Sequence, residues 1–433
     1  MRDLALVAVL LVLWPMALKR PWVGILTWVW LSLNVPQLQT YGFMLGSPVA
    51  MVTAVFTLLG ILISRDPKSF PSSPSTLLLI AFTLWMCITF PFSLVATQSN
   101  GEQLEKILKI NIFTLLCAVV LHTRKQVDWF IAVVTLSVAY FGVKGGVFTI
   151  LTGGAFRVRG EGGFLHGNNE IGLGLVMTVP LLYYLAHISA NRWVKSGLLV
   201  AMGLTAIAAL GTQSRGALVA IAAMTLMFIV RSPRPLRIVV PVILLALLML
   251  AFMPESWWDR METIRSYQED ESAMGRINAW TLAWNVATNN FFGGGFVIEY
   301  EQVFSRYAPN PHFIAVAHSI YFQVLGHHGF IGFFLFLLFW LMVWRDAKWL
   351  AKNSPDPRDV VMARMIQVSL IGYFVGGAFL NLAYFDGPYY LAMALVVVRY
   401  KLLKNVIRQP DRPPSGAWAA QGPNQNQAAR GKP

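Results

Sequence analysis

Apolar runs long enough to cross a lipid bilayer recur from one end of this chain to the other, the first opening at Leu4 and the last closing at Tyr400. A hydrocarbon core about 30 Å thick is crossed by roughly 17 or more helical residues. No water is available there, so each run must satisfy its own backbone hydrogen bonds, as a helix does. A membrane barrel would instead alternate in segments of about ten residues, and these runs are continuous. Charge agrees: 12% of the 433 residues are charged, where a soluble domain carries roughly 25%, and mean hydropathy is +0.58. The expected fold is all-α, a polytopic transmembrane bundle of 12 or 13 spans.

The runs place spans at 4–18, 21–34, 47–64, 76–96, 105–121, 127–150, 170–188, 196–212, 215–231, 237–253, 319–344, 361–383 and 386–400. The first two are short and share Pro15 and Pro21, so one long or broken element is the alternative. No small-residue cleavage site follows the first run, so a cleaved signal peptide is not expected. Cys87 and Cys117 both sit inside apolar runs, far from any CxxC spacing, and read as small core residues.

The net charge of +14 does not point to nucleic acid, because most of it lies in short loops and the tail. Arg65 and Lys68, Arg124 and Lys125, Arg192 and Lys195, Arg231, Arg234 and Arg237, and the Arg345–Arg364 stretch all fall on one side when the spans alternate. That side is expected to be cytoplasmic. The domain reading is then 1–253 and 318–405 for two groups of spans, 254–317 for a large outward loop with short helices, and 406–433 for a disordered cytoplasmic tail.

Three segments face outward: the glycine-rich loop around 152–169, the turn before Ser214, and the long loop. The long loop carries Trp257, Trp258, Trp280 and Trp284, which suit an element at headgroup level. Within it, 274–289 has helical character, with Arg276, Trp280, Ala283 and Trp284 on one face.

Arginines on the outward side run against the positive-inside trend and need a reason. Arg157 and Arg159 stand in AFRVRGEGGF, Arg215 in TQSRGA and Arg276 in MGRINAW. A guanidinium fork matches phosphate oxygens in a bidentate way. Arg215, at the outer edge of an apolar helix, is the sharpest case; the plain alternative is snorkelling to anionic headgroups. Lys144 is open to both readings. Asn169, Gln213, Trp280 and His312 lie in the same outward segments and are candidate donor or acceptor contacts. His318 stands at the water-facing start of a span, where neutral imidazole could accept a proton from a hydroxyl. His327 and His328 lie deeper and are expected to pack within the bundle. No HExxH, DxD or outer carboxylate pair is visible, and the Glu269–Glu271 run cannot converge on one ion, so no metal or other cofactor is expected.

The series GGFLHGNNE, TQSRGA, GR(x)3W(x)12GGGF and AHSIYFQVLGHHGFIG resembles the O-antigen ligase and polymerase superfamily, O-antigen ligases especially. The first hundred residues look like the N-terminal region of bacterial O-glycosylation-ligase-like members. The resemblance implies a metal-independent, inverting glycosyltransferase of the bacterial inner membrane, its active site facing the periplasm. It would move a glycan from undecaprenyl diphosphate to a hydroxyl of the lipid A-core oligosaccharide in lipopolysaccharide biosynthesis. Polymerase relatives accept on another lipid-linked repeat, and oligosaccharyltransferase relatives on a pilin serine. By position Arg215 and Arg276 match the family's diphosphate-binding arginines, with Arg157 and Arg159 as further candidates, and His318 matches its loop-end histidine. Ser319 stands where the family often has asparagine, which puts a secondary contact in doubt. A transporter of lipid-linked substrate is the rival from another class. It would place polar residues near the midplane on broken helices, often in two related halves, whereas the polar candidates here sit at the outer surface.

Overall fold

The structure is a computed structural model that describes residues 1–231 and 271–403. Among these all regular structure is helical. The helices are α1 (Arg2–Lys19), α2 (Pro21–Asn34), α3 (Val49–Ile63), α4 (Pro74–Thr89), α5 (Gln98–Val120), α6 (Arg124–Leu151) and α7 (Asn168–Ile188). There follow α8 (Arg192–Gly211), α9 (Arg215–Arg231), α10 (Glu271–Asn289), α11 (Glu301–Tyr307), α12 (Ile320–Asn353), α13 (Pro357–Gly377) and α14 (Asp386–Val397). The expected span 237–253, the Trp257–Trp258 pair, Arg234, Arg237, Glu269 and the tail 406–433 lie outside the described residues.

Six stretches are long and apolar enough to cross a membrane: Pro74–Phe92, Arg124–Leu151, Asn168–Ile188, Arg192–Gly211, Ile320–Asn353 and Pro357–Gly377. Two shorter apolar helices, Val49–Ile63 and Arg215–Val230, accompany them. Four helices that begin on the face carrying the basic loops, α4, α6, α8 and α13, are capped by side chains. Ser73 and Thr76 cap each other's backbone ahead of α4 with Pro74 in the first turn, and Thr123 with Gln126 does the same for α6. Asn191 and Asp356 accept first-turn N–H groups of α8 and α13. Ion pairs close the same face. Buried Asp346 accepts from Arg399 at 2.6 Å and from Ser75 at 2.6 Å, and Arg124 pairs with Asp128 and Asp359.

Every residue of α14 is buried, so a helix with no exposed face, apolar beyond its first turn, forms the axis, wrapped by α5, α6 and α12. α6 and α8 approach closely through small residues. A Cβ on Gly146 would stand 2.2 Å from the Leu204 carbonyl oxygen, the kind of contact that holds helices together where lipid is as apolar as the helix surface.

The first two runs keep their expected separation, and one later span differs from expectation, each for a physical reason. The first two runs are separate helices, because Arg20 leaves helical geometry at φ −136°, ψ 89° ahead of Pro21. The expected span 319–344 runs on to Asn353 and is broken at Gly329, where φ is 66° and ψ −170°. The carbonyls freed by the break find donors elsewhere. The N–H groups of Gly294 and Gly295 donate to the oxygens of Gly326 (2.8 Å) and His327 (3.0 Å), and Trp85 Nε1–H donates to that of His328 (2.9 Å). Such broken backbone is tolerated at membrane depth only when protein groups satisfy it. The run Gly293–Phe296 is therefore the cap of a broken helix.

Candidate functional site

Opposite the basic loops, the starts of two helices and one turn of a third converge on a cleft. α7 contributes Asn169; the turn ahead of α9 contributes Gln213 and Ser214, and α9 itself Arg215 and Gly216. α10 adds Ser272 and Arg276, and Phe379 and Leu380 close the site from the segment after α13.

The turn before Arg215 is held tightly. Gln213 takes a left-handed φ of 55°, which costs a residue with a Cβ about 1–2 kcal/mol. Its side chain is fixed at both ends: Nε2–H donates to the Gly154 carbonyl at 3.0 Å, and Oε1 accepts from Arg157 Nε at 3.2 Å. Asn168 Nδ2–H donates to the Thr212 carbonyl at 3.0 Å, tying α7 to the same turn. Ser214 Oγ accepts from the Ala217 N–H at 3.2 Å and caps α9. Arg215 is thereby delivered at the first position of α9 from a backbone with little freedom. Backbone strain held in place by surrounding bonds is a feature of working sites.

His318 is the second strained residue, at φ 44°. It lies two positions before α12, with Ser319 as the N-cap residue. Both neighbours are clamped. The Ala317 carbonyl accepts from Trp280 Nε1 at 2.6 Å, and the Ser319 N–H donates to Asn381 Oδ1 at 3.4 Å. Trp280 in turn stacks on Phe322, ring centroids 5.1 Å apart. Nδ1 of His318 is buried and has no hydrogen-bond partner among the described residues. Burial, and then the Arg276 guanidinium, hold the imidazole below its ordinary value of 6.5, while the Glu170 carboxylate pulls the other way. The ring is therefore neutral at pH 7, the form that can take a proton.

Of the residues singled out from sequence, Arg215, Arg276, Gln213 and Asn169 line one cleft, and His318 stands in the field of Arg276. Arg157 reaches the cleft through Gln213, and Trp280 acts behind His318. Arg159 and His312 are exposed and do not line the cleft. Lys144 pairs with Glu161 at 2.7 Å. His327 and His328 are buried, bonded to Tyr384 (3.1 Å) and Thr89 (2.8 Å). Sequence reasoning passed over Glu170, Ser272, Phe379, Leu380 and Asn381. Glu170 was visible as the carboxylate ending GGFLHGNNE; the apolar pair Phe379–Leu380 carries no such signal.

Fold and cleft together define a multi-pass helical membrane protein with two arginines and a neutral histidine gathered at one face. Residues 198–337, which contain Arg215, Arg276 and His318, match the family described as O-antigen ligase. Residues 1–190 match a family of unknown function (DUF5935). None of the curated proteins matches the chain.

Proposed function

We propose that the cleft transfers a glycan from undecaprenyl diphosphate to a hydroxyl of the lipid A-core oligosaccharide. On this reading the chain crosses the bacterial inner membrane 12 or 13 times, with its basic loops cytoplasmic and its cleft periplasmic. The observation that carries the reading is the meeting of Arg215 and Arg276, from helices far apart in sequence, beside a neutral His318.

The chemistry needs little else. The acceptor oxygen attacks the anomeric carbon as the bond from that carbon to the phosphate oxygen breaks, which inverts the centre. The electron pair leaves on the diphosphate, and the acceptor proton passes to His318. Charge developing on the leaving group is met by the guanidinium pair, aimed from rigid positions in a partly enclosed site. A general base in the His318 position contributes typically 10²–10⁴-fold. Clamping by Trp280 and Asn381 holds the ring where it can act.

Arg215→Lys tests the arginine role: an ammonium cannot replace a bidentate fork, so transfer by the reconstituted variant should be largely lost while the protein still inserts. Full activity would remove the diphosphate assignment. Polymerisation onto a second lipid-linked repeat uses the same donor chemistry, and the family covers that neighbourhood as well. Loss of the gene separates the two: free lipid-linked polymer accumulates if the protein ligates, single repeats if it polymerises.

A further inference from the structure

The break at Gly329 divides α12 into two parts with different settings. The first part, 320–328, begins beside the end of α13: Ile320 packs on Gly377, and Tyr321 Oη–H donates to the Phe374 carbonyl at 3.0 Å. It ends beside the end of α4, where His328 bonds Thr89 at 2.8 Å and its carbonyl accepts from Trp85. α4 and α13 both start at the basic loops, so both of these ends lie on the cleft face. A segment running from one to the other, roughly 13 Å long at 1.5 Å per residue, lies across that face rather than through the membrane. The second part, beyond Gly329, descends to Asp346 and its partners at the basic face.

α10 lies alongside this lateral segment and runs in the same direction. Trp280 stacks on Phe322, Ala283 touches Gly326, and Trp284 meets Phe330 edge-on with centroids 5.5 Å apart. α10 is therefore also a lateral helix, and it is not among the stretches apolar enough to span. One of its sides is buried through Asn278, Ala279, Leu282, Ala283 and Val286. The other presents Met274, Ile277, Trp284 (51% exposed) and, just past its end, Phe291 (66%). A helix side facing water carries charge; from Ile277 to Ile298 this stretch has none. The two threonines on that side bond back to their own helix, Thr281 to the Ile277 carbonyl at 2.9 Å and Thr288 to that of Trp284 at 3.1 Å. Through the Trp284–Phe330 contact the stripe joins Phe330, Phe334, Leu337 and Leu341, exposed at helical spacing down the spanning part of α12.

We infer that the exposed stripe of α10 is seated in the lipid of the cleft-face leaflet, so that this helix of the large outward loop, whose tryptophans suit the headgroup level, is an in-plane membrane helix. Its continuity with the exposed face of a spanning helix names acyl chains as what covers it, and an amphipathic helix lies at the headgroup boundary in this way. The consequence is positional. α10 carries Arg276 and clamps Ala317 next to His318, so lipid contact sets the depth of both groups. The inference does not require that the cleft transfers glycan.

The test uses the full chain in vesicles, with Cys87→Ala and the fully buried Cys117 left in place. Single cysteines at Ile277, Trp284 and Phe291 carry an environment-sensitive fluorophore, with Phe334→Cys as the lipid reference and Gln302→Cys, at an exposed position of α11, as the aqueous one. Brominated phosphatidylcholine should quench all three probes to the same fraction as at Phe334, with iodide leaving them unchanged. Iodide quenching matching that at Gln302 would overturn the inference in favour of a water-facing loop. Quenching by neither agent would overturn it in favour of a protein surface over the stripe. Since no outcome depends on activity, a failure here is distinguishable from a failure of the transfer assignment.

Discussion

Gly293→Ala probes the joint on which the cleft face is built. Gly293 sits at φ 77°, and a Cβ there would stand 2.6 Å from both the Gly329 nitrogen and the His327 carbonyl oxygen. Carbon contacts are comfortable near 3.5–4.0 Å, and both obstacles are backbone atoms that no rotamer change can remove. The loop must withdraw, which breaks the bonds from Gly294 and Gly295 to the carbonyls of Gly326 and His327. Left-handed geometry with a Cβ costs about 1–2 kcal/mol, and each buried carbonyl left without a donor costs about 1–3 kcal/mol. Together the destabilisation comes to about 3–8 kcal/mol. Gly46→Ala is the matched control: its φ is 69° but nothing stands within 4 Å of the added carbon, so only the conformational cost remains. Thermal unfolding of the two purified variants in detergent decides the matter. Equal melting temperatures would refute the account of a capped helix break.

Three further outcomes follow from the cleft. Transfer should fall as pH drops through the lowered pKa of His318, with the acid limb below the range of an ordinary histidine, because only the neutral ring accepts a proton. Glu170→Gln removes the charge that favours the imidazolium and should move that acid limb to lower pH, whereas Arg276→Gln should move it to higher pH in whatever activity remains; an unmoved limb in both would separate the limb from His318. Transfer by the purified protein should survive excess EDTA, since the arginines supply the positive charge, and loss restored by magnesium or manganese would contradict that assignment.

The six stretches long and apolar enough to cross a membrane among the described residues were legible because the bilayer leaves an unmistakable mark: a continuous apolar run of fixed minimum length, whatever the packing. Arg215 and Arg276 were legible because arginine on the outward side runs against the charge trend, and both stand in the cleft. The helix break was not. GHHGFIG reads as more of the same apolar run, and Gly329 becomes a break only because Gly294 and Gly295 arrive from another part of the chain to satisfy the freed carbonyls. For the same reason the lateral course of α10 was hidden, although its helical period and its tryptophans at headgroup level were visible. Phe379 and Leu380 close the cleft through tertiary position alone, and apolar residues at the end of a span announce nothing. The left-handed φ of Gln213 and His318 likewise belongs to the fold: glutamine has no preference for it, and histidine, though enriched there, adopts it in only a small fraction of cases.

The central claim is a division of labour, in which arginines hold the diphosphate and His318 takes the proton. Measuring donor binding and transfer separately on one set of variants tests it most directly. Equilibrium binding of an undecaprenyl-diphosphate glycan and single-turnover transfer are compared for the wild type, Arg276→Gln and His318→Ala. The account predicts weakened donor binding for Arg276→Gln. For His318→Ala it predicts near-normal binding with transfer reduced by about a hundredfold or more, the range of a lost general base. His318→Ala that transfers normally, or fails only because donor no longer binds, would contradict it.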